Sequence, residues 1–349
     1  MFHRTSDLSS SAKQKMVHNV ECMSNASSDS GQITRVAPAP FDKSEADLVL
    51  RSSDDVDFYV FKWILVDVSA VFARKLRTLP EPELPATERS PAEGYNGGLR
   101  SNARLIINLT ESSATLEPLL RICYPGSYSS FSPITFPSFD AAKPLLLAAH
   151  KYEMAALSKA FEQAVLPLVG ECPISIYAFA AQHDLAELMR AAARASLNLV
   201  FPWPYASELD AISTAAYHQL IVYYFRCKTA LAGLSVSANS FTEDQSTWES
   251  CKTCVSGWSS SSVRPGSAKW FSDLMAQIRT KLEKRPSPDA LQEPGFADDV
   301  LKKTTACGSC RKVAHRPMRE FMAFLKGDMD RTLRSVRRSS RLCFSADVV

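Results

Sequence analysis

Phe58–Phe72, FYVFKWILVDVSAVF, changes its apolar period near its middle. In the first part, Phe58 and Val60 alternate with Asp57 and Tyr59, which is typical of a strand with one buried face. In the second part, the apolar residues recur at steps of three and four, which is the spacing of one helical face. The stretch therefore predicts a strand that runs directly into a packed helix.

A second strand is predicted just before this stretch. Residues 46–51, ADLVLR, are apolar and β-prone, and residues 52–55, SSDD, predict a polar turn between two antiparallel strands. The order of strand, turn, strand and helix resembles the opening of a BTB/POZ domain of the divergent type abundant in fungi. The resemblance extends from Phe41 to Leu166, with Phe61 standing where the family usually has a histidine. It implies an α+β fold in which a small sheet is clasped by helices.

Four regions are predicted along the chain. Residues 1–40 are rich in Ser, Asn and Asp and predict a disordered tail, and residues 41–168 are the BTB-like domain. Within that domain, 80–104 predict an exposed loop, 104–109 a strand, and 112–123, 139–154 and 156–168 helices with Ser112 or Ser113 and Asp140 as caps. Residues 169–235 predict an all-α extension with a helix that follows Ser207, and 236–349 a C-terminal helical region stabilised by zinc.

Composition restricts the class of protein. The chain has 349 residues, 46% of them apolar, and a formal net charge of +3 that is too small to name a partner. Residues 1–40 contain no continuous apolar core, and the most apolar later run is interrupted by Arg226 and Lys228. We therefore expect neither a signal peptide nor a membrane span, and an intracellular protein of the cytoplasm or nucleus.

Cysteine is the one residue type whose spacing predicts chemistry. Cys251 and Cys254 form one CxxC pair, and Cys307 and Cys310 form another, with 52 residues between them. Two such pairs can complete a closed, four-cysteine zinc site of the structural kind. The alternative is two unrelated pairs of reduced thiols. A redox role is disfavoured because neither pair follows a strand in a βαβ context.

The sequence contains no nucleotide-binding, zinc-protease or serine-hydrolase motif, so we expect no enzyme. The resemblance implies a protein-interaction scaffold or adaptor that often homodimerises. It also implies a charged pocket at the dimer groove, for which Asp47 and Lys62 are the matching residues. A monomer remains open because Val36–Phe41 is rich in proline and predicts a poor strand. Cullin-3 binding is expected to be weak, because no glutamate lies between Pro125 and Phe139.

The alternative function is a zinc-containing, nucleic-acid-binding transcription regulator that its BTB-like domain dimerises. Residues 311–341 carry ten Lys and Arg against three acidic residues. Nucleic acid is nevertheless not the expected partner, because this segment matches no DNA-binding fold and lacks aromatic residues among its arginines.

Overall fold

The computed structural model describes residues 34–78, 104–124, 133–233, 251–254, 269–293, 295–296, 299, 302, 307–313 and 315–339. The chain forms two compact units, Met1–Val165 and Leu166–Val349. The predicted loop insertion at 80–104 lies outside the described residues except at Arg104, and the predicted tail lies outside them up to residue 33.

A four-stranded sheet lies at the centre of the first unit, in the order β1-β3-β2-β4. The strands are β1 (Arg35–Val36), β2 (Leu48–Arg51), β3 (Val56–Val60) and β4 (Leu105–Asn108). β2 and β3 form an antiparallel hairpin, and β4 lies parallel to β2 on its other side. The structure thus confirms the predicted hairpin and the predicted strand at 104–109.

The strand β1 differs from the sequence prediction. The disordered tail was predicted to extend to residue 40, and Val36–Phe41 to be a poor strand. Arg35 and Val36 nevertheless pair in parallel with the start of β3, and Ala37 and Phe41 are buried. The reason is tertiary, because the backbone amide of Ala37 donates to the carbonyl of Asp57 at 2.9 Å across the sheet edge.

Five helices complete the first unit: α1 (Lys62–Val68), α2 (Ala70–Thr78), α3 (Ser113–Cys123), α4 (Phe139–Lys151) and α5 (Ala155–Val165). The structure confirms the predicted helices, with shifts at their ends. Ser112 is the N-cap residue of α3. The predicted cap of α4, Asp140, is wrong, because the hydroxyl of Ser138 accepts the amide of Ala141 and Asp140 lies inside the first turn.

The predicted single helix from Lys62 to Phe72 breaks at Ser69. Ser69 has an extended backbone, with φ −132° and ψ 118°. Its hydroxyl donates to the carbonyl of Tyr152 at 2.5 Å and accepts the amide of Phe72 at 3.2 Å. The periodicity did not reveal the break, because both helices bury the same apolar face.

Asp57 also departs from the simple alternation of the strand. Its residue is only 7% exposed, although the pattern placed it on the polar face. Its carboxylate accepts two hydrogen bonds from the Arg51 guanidinium, from Nε at 2.7 Å and from a terminal nitrogen at 2.9 Å. Burial of the charge is therefore compensated by a bidentate ion pair on the opposite strand of the hairpin.

The second unit is helical in its described residues. It contains α6 (Pro173–Gln182), α7 (Ala186–Ala195), α8 (Thr214–Ala232), α9 (Lys269–Lys284), α10 (Gly308–Val313) and α11 (His315–Ser339). The helix predicted after Ser207 begins instead at Thr214, with Ser213 as its cap, and Ser207 opens a short 3₁₀ turn. Helix α8 packs against both α9 and α11, so the predicted extension and C-terminal region belong to one compact unit.

The core of the second unit contains an aromatic contact between α9 and α11. The rings of Phe271 and Phe321 meet edge to face with centroids 5.5 Å apart, and both side chains are fully buried. Within the described residues, no helix is both long enough and apolar enough to cross a bilayer.

Two matched substitutions test the buried ion pair. Arg74 makes the same bidentate contact with Glu153 on the surface, where the two side chains are 59% and 48% exposed against 29% and 9% for Arg51 and Asp57. We expect Arg51→Met to lower the free energy of unfolding by about 2–3 kcal/mol, because it leaves a buried carboxylate unpaired. Arg74→Met should cost less than about 1 kcal/mol. Urea unfolding followed by circular dichroism measures both, and equal losses would contradict the assignment.

A second prediction concerns the hairpin turn. The carboxylate of Asp54 accepts hydrogen bonds from the hydroxyl and the backbone amide of Ser113, each at 2.6 Å, and these hold the pKa of Asp54 at about 2. Because the folded pKa lies below the unfolded value of about 3.9, the ionised carboxylate favours folding above roughly pH 4. That contribution disappears as the pH falls towards 2.

We therefore expect Ser113→Ala to raise the pKa of Asp54 towards its ordinary value, measured by NMR titration of the side-chain carboxyl carbon. Ser112→Ala is the control, since the Ser112 hydroxyl contacts Thr115 instead. An unchanged pKa of Asp54 in Ser113→Ala would show that the hydrogen bond from the Ser113 hydroxyl does not lower that pKa.

Candidate metal centre

The two predicted CxxC pairs come together in the second unit. Cys251 and Cys254 belong to one short described segment, while Cys307 directly precedes α10 and Cys310 lies in its first turn. The four Sγ atoms all lie within 4.8 Å of one another. The sequence therefore identified the members of this cluster, and folding brings them to one point.

The spacing of the sulfurs fits ligands around a shared ion. Cys251 Sγ lies 3.7 Å from Cys307 Sγ, and Cys254 Sγ lies 3.5 Å from Cys310 Sγ. Tetrahedral zinc with Zn–S bonds of about 2.3 Å places its sulfurs about 3.8 Å apart, whereas a disulfide needs about 2.05 Å. All four cysteines are free thiols. The cluster thus has the donor set and spacing of a closed tetrahedral site.

The two CxxC segments face each other position for position. The first cysteines of the two pairs contact each other, and so do the second cysteines. Between them, the hydroxyls of Thr253 and Ser309 lie 3.4 Å apart. Each segment therefore presents its two thiols in an equivalent way, as expected of two CxxC segments that bind one shared ion.

Backbone amides make the first thiol of each pair easier to ionise. The amides of Thr253 and Cys254 lower the pKa of Cys251 to about 6, with Thr253 N–H 3.4 Å from the sulfur. The amides of Cys310 and Ser309 likewise lower the pKa of Cys307. Since metals bind the thiolate form, this arrangement of amides favours coordination.

The second thiol of each pair is in a drier environment. Burial raises the pKa of Cys254 and of Cys310. The Trp270 side chain lies near Cys310 and lowers its pKa in part, which offsets some of that effect. An indole N–H can only donate, so its proximity favours a charged sulfur.

Cationic residues adjoin the four cysteines in the sequence. Four thiolates and a divalent ion carry a net charge of about −2, counted from the ligand set. Lys252 lies within the first pair, and Arg311 and Lys312 directly follow the second, all of them exposed. These cations reduce the electrostatic cost of assembling four thiolates.

Asp47 and Lys62 lie close together, and the charged pocket at a dimer groove stays a prediction. The carboxylate of Asp47 accepts the backbone amide of Lys62 at 2.8 Å, while the hydroxyl of Tyr124 accepts the neighbouring amide of Phe61 at 3.1 Å. Asp47 is exposed and Lys62 half-buried. The carboxylate thus caps the N-terminus of α1, where anionic groups are stabilising.

Sequence reasoning missed Trp63 as a candidate site residue. Trp63 lies in the first turn of α1, and 62% of it is exposed. The sequence contained a signal for this exposure, because Trp63 does not belong to the series of apolar residues, spaced by three and four, that begins at Ile64. An exposed indole beside a helix cap is a candidate contact for another protein.

A scan against protein-family models finds no match for this chain, and a search of the curated proteins finds none either.

Proposed function

We propose that the chain is a non-catalytic protein-interaction scaffold of the BTB/POZ type, with a C-terminal unit held together by a structural zinc ion. Such a protein acts by association, so its chemistry consists of ligation and docking surfaces. The two parts of the proposal rest on different observations, one in each unit.

One arrangement carries the scaffold proposal: the hairpin β2–β3 runs directly into α1, and β4 returns parallel to β2. A small sheet flanked by helices, with its elements in this order, is what the resemblance implies for residues 41–168. Long-range contacts support the arrangement. The Ser69 hydroxyl ties the junction of α1 and α2 to the end of α4, and the Tyr124 hydroxyl ties the end of α3 to the start of α1.

The strand-to-helix joint is the surface that we propose for docking. Asp47, Lys62 and Trp63 lie together there, and Trp63 is the most exposed large apolar side chain of the first unit's described residues. Tryptophan contributes strongly at protein interfaces because a large apolar area is combined with a polar N–H. Charged neighbours at the rim add specificity rather than affinity.

Zinc is the ion that the cysteine cluster fits best. Four thiolates at tetrahedral spacing form the closed set typical of structural zinc, which leaves no ligand position open for a substrate. Asp and Glu oxygens, which calcium and magnesium prefer, are absent from the cluster in the described residues. Zinc would connect the segment at 251–254 to the start of α10.

Metal analysis of the purified chain tests the zinc proposal. We expect one zinc per chain in the wild type and nearly none in Cys307→Ser, together with a lower thermal midpoint. Cys172→Ser is the matched control, because it makes the same change in the same unit at a cysteine outside the cluster. Full loading of Cys307→Ser, or a wild-type chain that stays metal-free after folding with zinc, would contradict the proposal.

Quantitative affinity purification with mass spectrometry, alongside light scattering, tests the scaffold proposal. We expect the wild type to hold a protein partner or a second copy of itself in near-stoichiometric amount, and Trp63→Glu to lose it. Val200→Glu is the control, since Val200 is an exposed apolar residue of the second unit, at 55%. A wild-type chain that binds no protein, or equal recovery with all three chains, would contradict this surface.

A further inference from the structure

Helix α11 has two sharply different faces. Its apolar side chains pack into the core of the second unit: Met318, Phe321, Leu325, Met329 and Leu333. Small and cationic residues and one glutamate occupy the exposed part of the helix among its described side chains. We call this surface the basic face of α11, and it comprises Arg319, Glu320, Ala323, Lys326, Gly327, Arg331, Arg334, Ser335, Arg337 and Arg338.

Of the three acidic residues of α11, Glu320 is exposed on the basic face, and both Asp328 and Asp330 have ion-pair partners. Asp330 accepts from Arg194 of α7 at 2.7 Å and is 21% exposed, and Asp328 accepts from Arg331 at 3.1 Å and is 19% exposed. Within the part of the chain that the structure describes, five cations of the face have no ion-pair partner: Arg319, Lys326, Arg334, Arg337 and Arg338. The face therefore keeps a positive charge that the fold does not neutralise.

Gly327 lies in the middle of this face. Glycine destabilises a helix interior relative to alanine, so a mid-helix glycine needs a reason. Packing does not supply one, because a Cβ at Gly327 would meet no heavy atom within 4 Å. Gly327 shares one stripe with Arg331, Arg334 and Arg338, which follow it at i+4, i+7 and i+11. Backbone without a side chain therefore lies on the same stripe as three of the cations.

We propose that the basic face of α11 docks on the phosphate backbone of a nucleic-acid duplex, with Gly327 at the point of closest approach. This binding activity goes beyond the proposed scaffold function. Phosphate contacts use arginine, lysine and closely approaching backbone, and need no apolar anchor. The distance from Arg319 to Arg338 along the helix is about 28 Å at 1.5 Å per residue, which is close to one turn of a duplex.

The lack of an exposed large apolar side chain favours nucleic acid over an acidic protein. Protein interfaces usually contain a buried centre of aromatic or large apolar residues. Among the described side chains of α11, the exposed ones between the cations are Glu320, Ala323, Gly327 and Ser335, and Phe324 is half-buried beneath the Arg331 guanidinium. A polyphosphate strand can use such a surface in full, because charge and close approach are all that it requires.

The test uses the full zinc-loaded chain and a fluorescein-labelled DNA duplex of about 20 base pairs, long enough for the 28 Å face, with anisotropy recorded over a series of salt concentrations. We expect sequence-independent binding whose log–log salt slope is about −3 to −4, as for four neutralised phosphates. Arg334→Gln should make that slope shallower by about 1 and weaken binding severalfold. Arg77→Gln, an exposed arginine of α2 in the other unit, removes the same charge and should change neither value.

Gly327→Ala separates docking from folding. Alanine should leave the thermal midpoint unchanged or raise it, because it favours the helix and meets no clash. If the duplex approaches the backbone here, the added methyl should weaken binding at least threefold, by about 0.65 kcal/mol from RT ln 3. If Gly327 had only a structural role, Gly327→Ala would not weaken DNA binding while it stabilised the fold.

Three outcomes would overturn the proposal. The first is no saturable binding of the duplex at low salt. The second is equal affinity for poly-glutamate of matched charge, which would indicate an acidic polypeptide as the partner. The third is a Gly327→Ala chain that binds as tightly as the wild type, which would show that the duplex does not approach the helix backbone closely at Gly327. Capture of a protein through Trp63 is measured separately, so the two proposals can fail independently.

Discussion

Pairing of β2 on both sides is the constraint on which the first unit depends. Leu48–Arg51 forms an antiparallel ladder with β3 and a parallel ladder with β4, so a hairpin neighbour and a strand far along the chain meet on it. Leu48 and Leu50 are fully buried and Val49 nearly so, which leaves no water to replace a lost ladder bond. The pairing also places the start of α1, because α1 begins two residues after β3 ends.

The second unit depends on a different kind of cohesion. Phe271 and Phe321 pack α9 against α11, and Cys310 lies in α10, the short helix just before α11. A bound ion would add a second link, because it would tie the start of α10 to the segment at 251–254. Trp270 lies near both, because its indole packs against Phe271 and lowers the pKa of Cys310.

The charged residues of this protein fall into two groups that differ in burial. The pair of Arg51 and Asp57 is withdrawn from water and satisfied within the hairpin, and Asp330 is held by Arg194 beside α11. Five cations of the basic face, all except Arg331, stay exposed without an ion-pair partner within the described residues. The buried charges thus support the fold, whereas the exposed ones are available to an outside partner. Burial therefore distinguishes these two groups of charged residues, which the sign of the charge does not.

Local pattern alone determined the hairpin, most of the helices and the identity of the four clustered cysteines. Each is encoded in neighbouring residues: a period of two or of three to four, a polar turn, or a CxxC spacing. Only the tertiary structure decided the break at Ser69, the ion pair of Asp57, the strand at Arg35–Val36 and the capping role of Asp47. In each case the partner atom lies elsewhere in the fold, such as the carbonyl of Tyr152 for Ser69, and a periodic pattern contains no information about a contact of that kind.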